Sequence, residues 1–264
     1  MKRALFILTA VLLPAALSAS VLTKDFTHLG EFIGIQVENR FEVHLIQSDG
    51  EYSVTATIDA DYEEYLSVKI MGGILYVKLD EMPKKLNNLQ KKVQEVTIKV
   101  PSLVQINLSG LATLDSEGTF GSPMGTFKVN AGGMSKIKNL EINGGEVDVN
   151  AGGKSNVSIS GCCSDLEIEA SGVAACTVTG DYEEVSMQVS GTSRVTLIGK
   201  GTELEGECSG GGYIDAILCP VDKAEIEASG ASRATLDVAK ELEIEMTGTS
   251  SCQYKTSNPQ LIIK

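Results

Sequence analysis

The sequence contains no tryptophan, aromatic residues make up 5% of it, and it has two histidines, His28 and His44. Sugar clefts are usually floored by aromatic rings, so this scarcity counts against a deep carbohydrate site. With two histidines and no nucleophile elbow, a Ser-His-Asp or Cys-His constellation has no support. His44 stands between Val43 and Leu45 in an alternating run and so faces the opposite, solvated side of a strand. No Cys-x-x-Cys occurs, and the vicinal pair Cys162–Cys163 lacks zinc-ligand spacing. Basic residues are few: 22 Lys and Arg stand against 35 Asp and Glu, a net charge of −13. Such a chain repels phosphate backbones and anionic lipid surfaces, which excludes nucleic acid as a partner class.

Long apolar runs are absent after the N-terminus. Lys2 and Arg3 precede an apolar stretch, Ala4 to Leu17, interrupted by Pro14 and followed by small residues. This predicts a secretory signal peptide over 1–19, cut after Ser18 or Ala19. The run is too short to anchor comfortably in a bilayer. No cysteine follows it directly, so lipid attachment at the new N-terminus is not indicated. The mature chain then carries 20 basic and 35 acidic residues, a formal charge of −15.

What the sequence has in abundance is one sentence repeated. "EIEASGVAACTV" (167–178), "SMQVSGTSRVTL" (186–197) and "EIEASGASRATL" (225–236) share a shape. The copies align on Gly110, Gly133, Gly153, Gly172, Gly191, Gly210, Gly230 and Gly248, at spacings of 23, 20, 19, 19, 19, 20 and 18. Six, four and two residues before the glycine the chain is apolar or small, as in Leu166, Ile168 and Ala170; the residues between are polar. Four and six residues after it the pattern resumes, as in Val195 and Leu197. Period-two alternation marks half-buried strands. Two strands joined by a Gly-Ser-Thr turn make one rung, and a rung buries its apolar side only by stacking on others. The fold class predicted is all-β: a single-stranded parallel β-helix, a solenoid with coils of about 19–20 residues. One domain is expected over 20–264, with irregular N-terminal coils and a cap over 20–100 and regular coils over 101–264. Residues 59–70 suit one helical turn between strands, and "EMPKKLNNLQKK" (81–92) reads as a polar insertion.

"VTIKVPSLVQINLSGLATL" (96–114), with "FIGIQVENRFEVHLIQ" and "GILYVKLD" upstream, resembles the secreted bacterial family described as putative auto-transporter adhesin, head GIN domain. The resemblance covers essentially the whole mature chain. It implies a right-handed parallel β-helix exported to the periplasm or cell surface of a Gram-negative bacterium. These signatures specify strands and turns, so they speak to fold more than to function. The chain ends at "NPQLIIK" with no barrel segment, so self-translocation in the auto-transporter manner is not expected.

Six cysteines, an even count in an exported chain, suggest disulfides. The repeat register argues otherwise. Cys176, Cys252 and Cys208 fall at inward positions, and Cys176 and Cys252 lie four rungs apart, roughly 19 Å at the strand spacing. Cys162 and Cys219 share one offset but are three rungs apart, roughly 14 Å, while a disulfide needs Cα atoms within about 7 Å. "DVNAGGKS" (148–155) lacks the first glycine of a phosphate loop, and "NAGGMSKIKNL" lacks the aspartates of calcium-binding glycine-rich repeats.

Five and three residues before the glycine, the outward positions read Glu167 and Glu169, Ser186 and Gln188, Glu205 and Glu207, Glu225 and Glu227, Glu243 and Glu245. Three consecutive rungs thus stack glutamate on glutamate, which is unfavourable unless solvent, cations or a basic partner relieve it. Glu205, Glu207, Glu225, Glu227, Glu243 and Glu245 are the candidate cation surface, with calcium as the candidate ion. Lys136, Arg194 and Arg233 recur three residues after the glycine, on another stretch of the rung. The function expected is non-enzymatic and adhesin-like: a repetitive acidic surface shown to a protein or glycan at the cell envelope. The alternatives are a polysaccharide-active β-helix enzyme, for which no aromatic cluster or long insertion builds a cleft, and a structural scaffold that self-associates through an end strand, "PQLIIK".

Overall fold

In a computed structural model, residues 20–81, 83, 93–121, 125–256 and 262–263 are described. The expected signal peptide (1–19), most of the 81–92 insertion and most of "PQLIIK" lie outside them. The chain is a nearly all-β solenoid of about 8 turns, 67% strand and 4% helical. Each rung has a leading strand, a tight turn at the aligned glycine and a trailing strand that runs through a corner into the next rung.

The turn explains the repeat. All eight aligned glycines hold φ between +68° and +79°, the left-handed region that side chains disfavour. They also stack too closely for a Cβ, since one on Gly133 would sit 2.7 Å from the Gly110 carbonyl oxygen. That closeness lets the next residue's N–H reach the glycine carbonyl of the rung below: Met134 to Gly110 at 2.7 Å, Val173 to Gly153 at 2.7 Å, Ala231 to Gly210 at 2.6 Å. The stack begins one rung earlier than its glycines. Asn39, at φ +64°, occupies the first place, and Leu111 N–H donates to its carbonyl at 2.6 Å. Asparagine tolerates this conformation better than most residues, and its Oδ1 accepts from Leu79 N–H at 2.8 Å, closing the end of the stack.

Inside, like residues pair with like. Phe127 aligns with Val147, Val147 with Leu166, Leu166 with Val185, and the column continues through Leu204 and Ala224 to Leu242, all buried. Every leading strand from Gln105–Leu108 to Arg233–Met246 pairs parallel and residue for residue with its neighbours. The copies of irregular length take up the difference elsewhere, as register shifts between Ile137 and Leu140 and between Ala216 and Val221. These are β-bulges on the trailing side and at the corner.

The corner holds a second glycine column. A Cβ on Gly161, Gly180 or Gly199 would overlap the carbonyl oxygen of Ile142, Gly161 or Gly180 respectively. The N-terminal end is built differently. Strands Gly34–Val37 and Glu42–Gln47 form a first rung, extended in parallel by Ile74–Leu79 and Gln94–Val100. Beyond these the direction reverses: Leu66–Met71 pairs antiparallel with Ile74–Leu79, Ser53–Asp59 with Gln94–Val100, and Val21–Asp25 with Ser53–Asp59. The helical turn expected in 59–70 is a 3-10 helix, Ala60–Tyr65, whose Asp59 side chain accepts from Asp61 N–H at 3.1 Å and which buries Tyr62.

Candidate functional site

The outward face of the leading sheet carries the candidate residues. Alternation turns residues five and three before each glycine to solvent, and strict register stacks them into two columns. Glu205, Glu225 and Glu243 are direct partners on neighbouring strands, as are Glu207, Glu227 and Glu245. All six are exposed except Glu243, which is half-buried. Lys223 lies beside this ladder and bonds Glu203 at 2.7 Å, which holds its ammonium above the usual lysine range. It serves the column two residues before the glutamates. Lys136, Arg194 and Arg233 stand at the start of the trailing runs, on the far side of the glycine turn from the ladder; Arg194 and Arg233 flank the Tyr213 ring at 4.5 and 5.9 Å. No three acidic, histidine or cysteine side chains among the described residues converge so as to hold a metal ion.

One column of the ladder, Glu207, Glu227 and Glu245, is part of a longer groove, while Glu205, Glu225 and Glu243 line a separate hollow with Glu203 and Lys223. On one side of the groove stand the residues three before the glycine. On the other stands the shelf of small residues just before it: Ser109, Gly132, Gly152, Ser171, Ser190, Ser209 and Ser229. The N-terminal section encloses about 550 Å³ and is lined by Gln36, Asn107, Asn130, Asn150, Glu169 and Gln188. Gln188 and Ser190 pass into a C-terminal section of about 270 Å³ lined by Glu207, Glu227 and Glu245. The amides sit at the same offset as the glutamates; what marks them in the sequence is that shared column, which charge alone does not reveal. Asn107, Asn130 and Asn150 are half-buried, and Asn130 Nδ2 donates to Asn107 Oδ1 at 2.7 Å. Asp148 beside them is neutralised by Lys128 at 3.1 Å and accepts from Asn150 at 3.0 Å.

Relief of like charge at the central rung is expected to stabilise the protein. Glu225→Gln with Glu227→Gln removes the charge from four glutamate pairs, and at low salt it should raise Tm by roughly 2–4 °C. In molar NaCl the gain should vanish through screening. Differential scanning calorimetry at both ionic strengths checks this; a fall in Tm at low salt would mean that the carboxylates make attractive contacts.

All six cysteines are free. Cys176, Cys208 and Cys219 are buried, and burial pushes the Cys176 thiol up to about 12. Half-buried Cys163 rises to about 12 through burial and then the nearby Asp165 charge. Cys219 and Cys162 share an offset, yet one is buried and the other exposed. The bulge after Ala216 shifts Leu218 opposite Ile198, so Cys219 enters the corner where Gly199 stands one rung below. A raised thiol pKa withholds thiolate at pH 8, so an aromatic disulfide reagent at that pH is expected to label Cys162 rapidly and the other five only after denaturation. Rapid labelling of three or more thiols in the native protein would contradict this burial. Both histidines are exposed.

The family model described as "Putative auto-transporter adhesin, head GIN domain" matches residues 31–179 and 164–258. A putative adhesin from Parabacteroides merdae ATCC 43184 superposes with a TM-score of 0.64 at 18% identity, covering 94% of this chain and 95% of that one. A putative adhesin from Parabacteroides distasonis ATCC 8503 gives 0.62 at 15% identity over 93% and 97%. A third structure, titled a putative lipid binding protein and also from Parabacteroides distasonis, gives 0.58 at 17% over 94% and 98%. At these identities the likeness is one of fold. No curated protein matches the chain.

Proposed function

The chain belongs to the head GIN domain family of putative auto-transporter adhesins, and on that premise we propose that it is an exported, non-enzymatic envelope protein whose leading face binds a partner. The observation that carries the reading is the in-register stack of glutamates on an exposed, regular face. One weak contact is offered again at each rung, so a long ligand gains from every repeat. The six carboxylates attract cations as a field rather than chelating one, since no three acids converge among the described residues. Calcium and magnesium at equal millimolar concentration are therefore expected to raise Tm alike. The mature chain acts in the periplasm or at the cell surface; no helix among the described residues is long and apolar enough to cross a membrane.

The test uses a cationic probe. Labelled oligo-lysine should bind the mature chain at low salt, weaken as salt rises, and lose most of its affinity when Glu205, Glu207, Glu225, Glu227, Glu243 and Glu245 are all glutamine. Undiminished binding by that variant would remove the acidic face from the function. A calcium-specific rise in Tm, abolished in the variant, would replace the diffuse field with a true cation site.

A further inference from the structure

The groove changes character along its length, and the amide section demands a different ligand from the glutamate section. Its lining contains no Lys, Arg, His or aromatic residue, and one carboxylate, Glu169, near its end. Each amide side chain carries two N–H donors and an oxygen with two acceptor sites. Asn130 donates to Asn107, Asn150 to Asp148 and Gln36 to Glu38, each spending one donor, and Asn107 spends one acceptor site, so both kinds of group remain, rung after rung, at roughly 4.8 Å. The shelf adds the hydroxyls of Ser109, Ser171 and Ser190.

Three ligand classes are disfavoured here. An anionic polymer finds no cation and meets Glu169. A peptide strand finds no free edge, because the shelf N–H groups are already spent between rungs: Gly132 on Leu108 at 2.9 Å, Gly152 on Ala131 at 2.8 Å, Ser190 on Ala170 at 2.9 Å. An apolar anchor finds no pocket, since the floor is backbone flanked by Leu108, Ala131, Ala151 and Ala170, whose side chains point into the core. A neutral polymer with hydroxyl donors and acceptors on every unit does fit. Glu169 suits it too, because a carboxylate accepts from two neighbouring hydroxyls at once.

We propose that the amide section binds a neutral linear polysaccharide lying along the solenoid axis. The proposal rests on the chain being a binding protein, but not on its glutamate ladder. Without aromatic stacking each sugar contributes little, so affinity grows with oligosaccharide length until the section is filled.

The structure supplies the blocking variant. Gly132 and Gly152 lie outside the left-handed region, and a Cβ at either meets nothing nearer than 3.9 and 3.7 Å. Gly132→Leu with Gly152→Leu fills the groove without straining the backbone, while Asn107→Ala with Asn130→Ala and Asn150→Ala removes the donors and acceptors. Mobility of the mature chain is measured in native gels containing soluble glucan, mannan, xylan or galactan, with melting curves to establish that each variant is folded. The expected result is retardation by at least one polysaccharide, weakened at least about tenfold in the triple-alanine variant, as the loss of two or three net hydrogen bonds implies, and at least as much in the double-leucine variant, which occupies the groove. The variant with glutamine at all six ladder positions should be retarded like the parent. Absence of retardation by all four polysaccharides overturns the proposal. Unchanged retardation of a folded double-leucine variant overturns it as well. Retardation lost with the six glutamines but kept with the leucines places the ligand on the acidic section, and again overturns it. Oligo-lysine binding is read separately, so failure here leaves the acidic-face reading standing.

Discussion

Gly180→Ala is expected to abolish the native fold. A methyl group there would overlap the Gly161 carbonyl oxygen, a backbone atom that no side-chain motion can carry away. Gly199 stacks on Gly180 in the same manner, so a shift at one rung propagates to the next. The cost exceeds about 4–5 kcal/mol, the level reserved for severe backbone or core damage. Gly132→Ala is the matched control: one rung-stacked glycine replaced by alanine, with the nearest atom at 3.9 Å. It should change stability by less than about 1 kcal/mol, in the stabilising direction if anything, because alanine restricts the unfolded chain. Circular dichroism melting of both proteins checks the pair. Were Gly180→Ala to melt within a few degrees of the parent, the corner would have to be far more open than described.

Ile226→Ala should produce the largest loss among core truncations, about 4–5 kcal/mol. Ile226 is 0% exposed, and the position below it in the column is Gly206, which contributes no side chain. A Cβ on Gly206 would lie 2.9 Å from Cδ1 of both Ile226 and Ile214, so these two isoleucines already fill the space that the glycine leaves. Truncating Ile226 therefore opens a void that spans two rungs. Gly206→Ala alone should cost about 1–3 kcal/mol by crowding those side-chain ends. In the Ile226→Ala background the same alanine should stabilise, because it enters the void. Urea unfolding of the four proteins of this cycle measures the coupling, expected at about 1 kcal/mol or more. Simple additivity would show that Ile226 does not fill the gap at Gly206.

How much was legible follows from what each signal encodes. Alternation and a constant period determine which residues face inward and which stack, so the solenoid, the αL glycines and the register of Glu205, Glu225 and Glu243 were all readable. Alternation says nothing of strand direction. The antiparallel strands Leu66–Met71, Ser53–Asp59 and Val21–Asp25 therefore read like opening coils. Asn39 was hidden because an asparagine does in the first rung what glycine does in the rest. The corner glycines Gly161, Gly180 and Gly199 recur every 19 residues, but the column ends at Cys219, and a bulge moved that cysteine out of the place its count assigns. Charge drew attention to the glutamates, while the neutral half of the same column, Asn107, Asn130 and Asn150, carried no such flag.

The placement of the bulges has a consequence for measurement in the literal sense. Among the described residues the shifts in register fall on the trailing side and at the corner, near Ile137, Thr196 and Ala216, while the leading strands from Gln105–Leu108 onward keep theirs. In the described rungs one side of the molecule takes up the shifts so that the other stays graduated, like a ruler whose slack is behind the scale. A polymer laid along the graduated side meets the same interval from the first mark to the last, whatever single-residue insertions the chain has accumulated behind it.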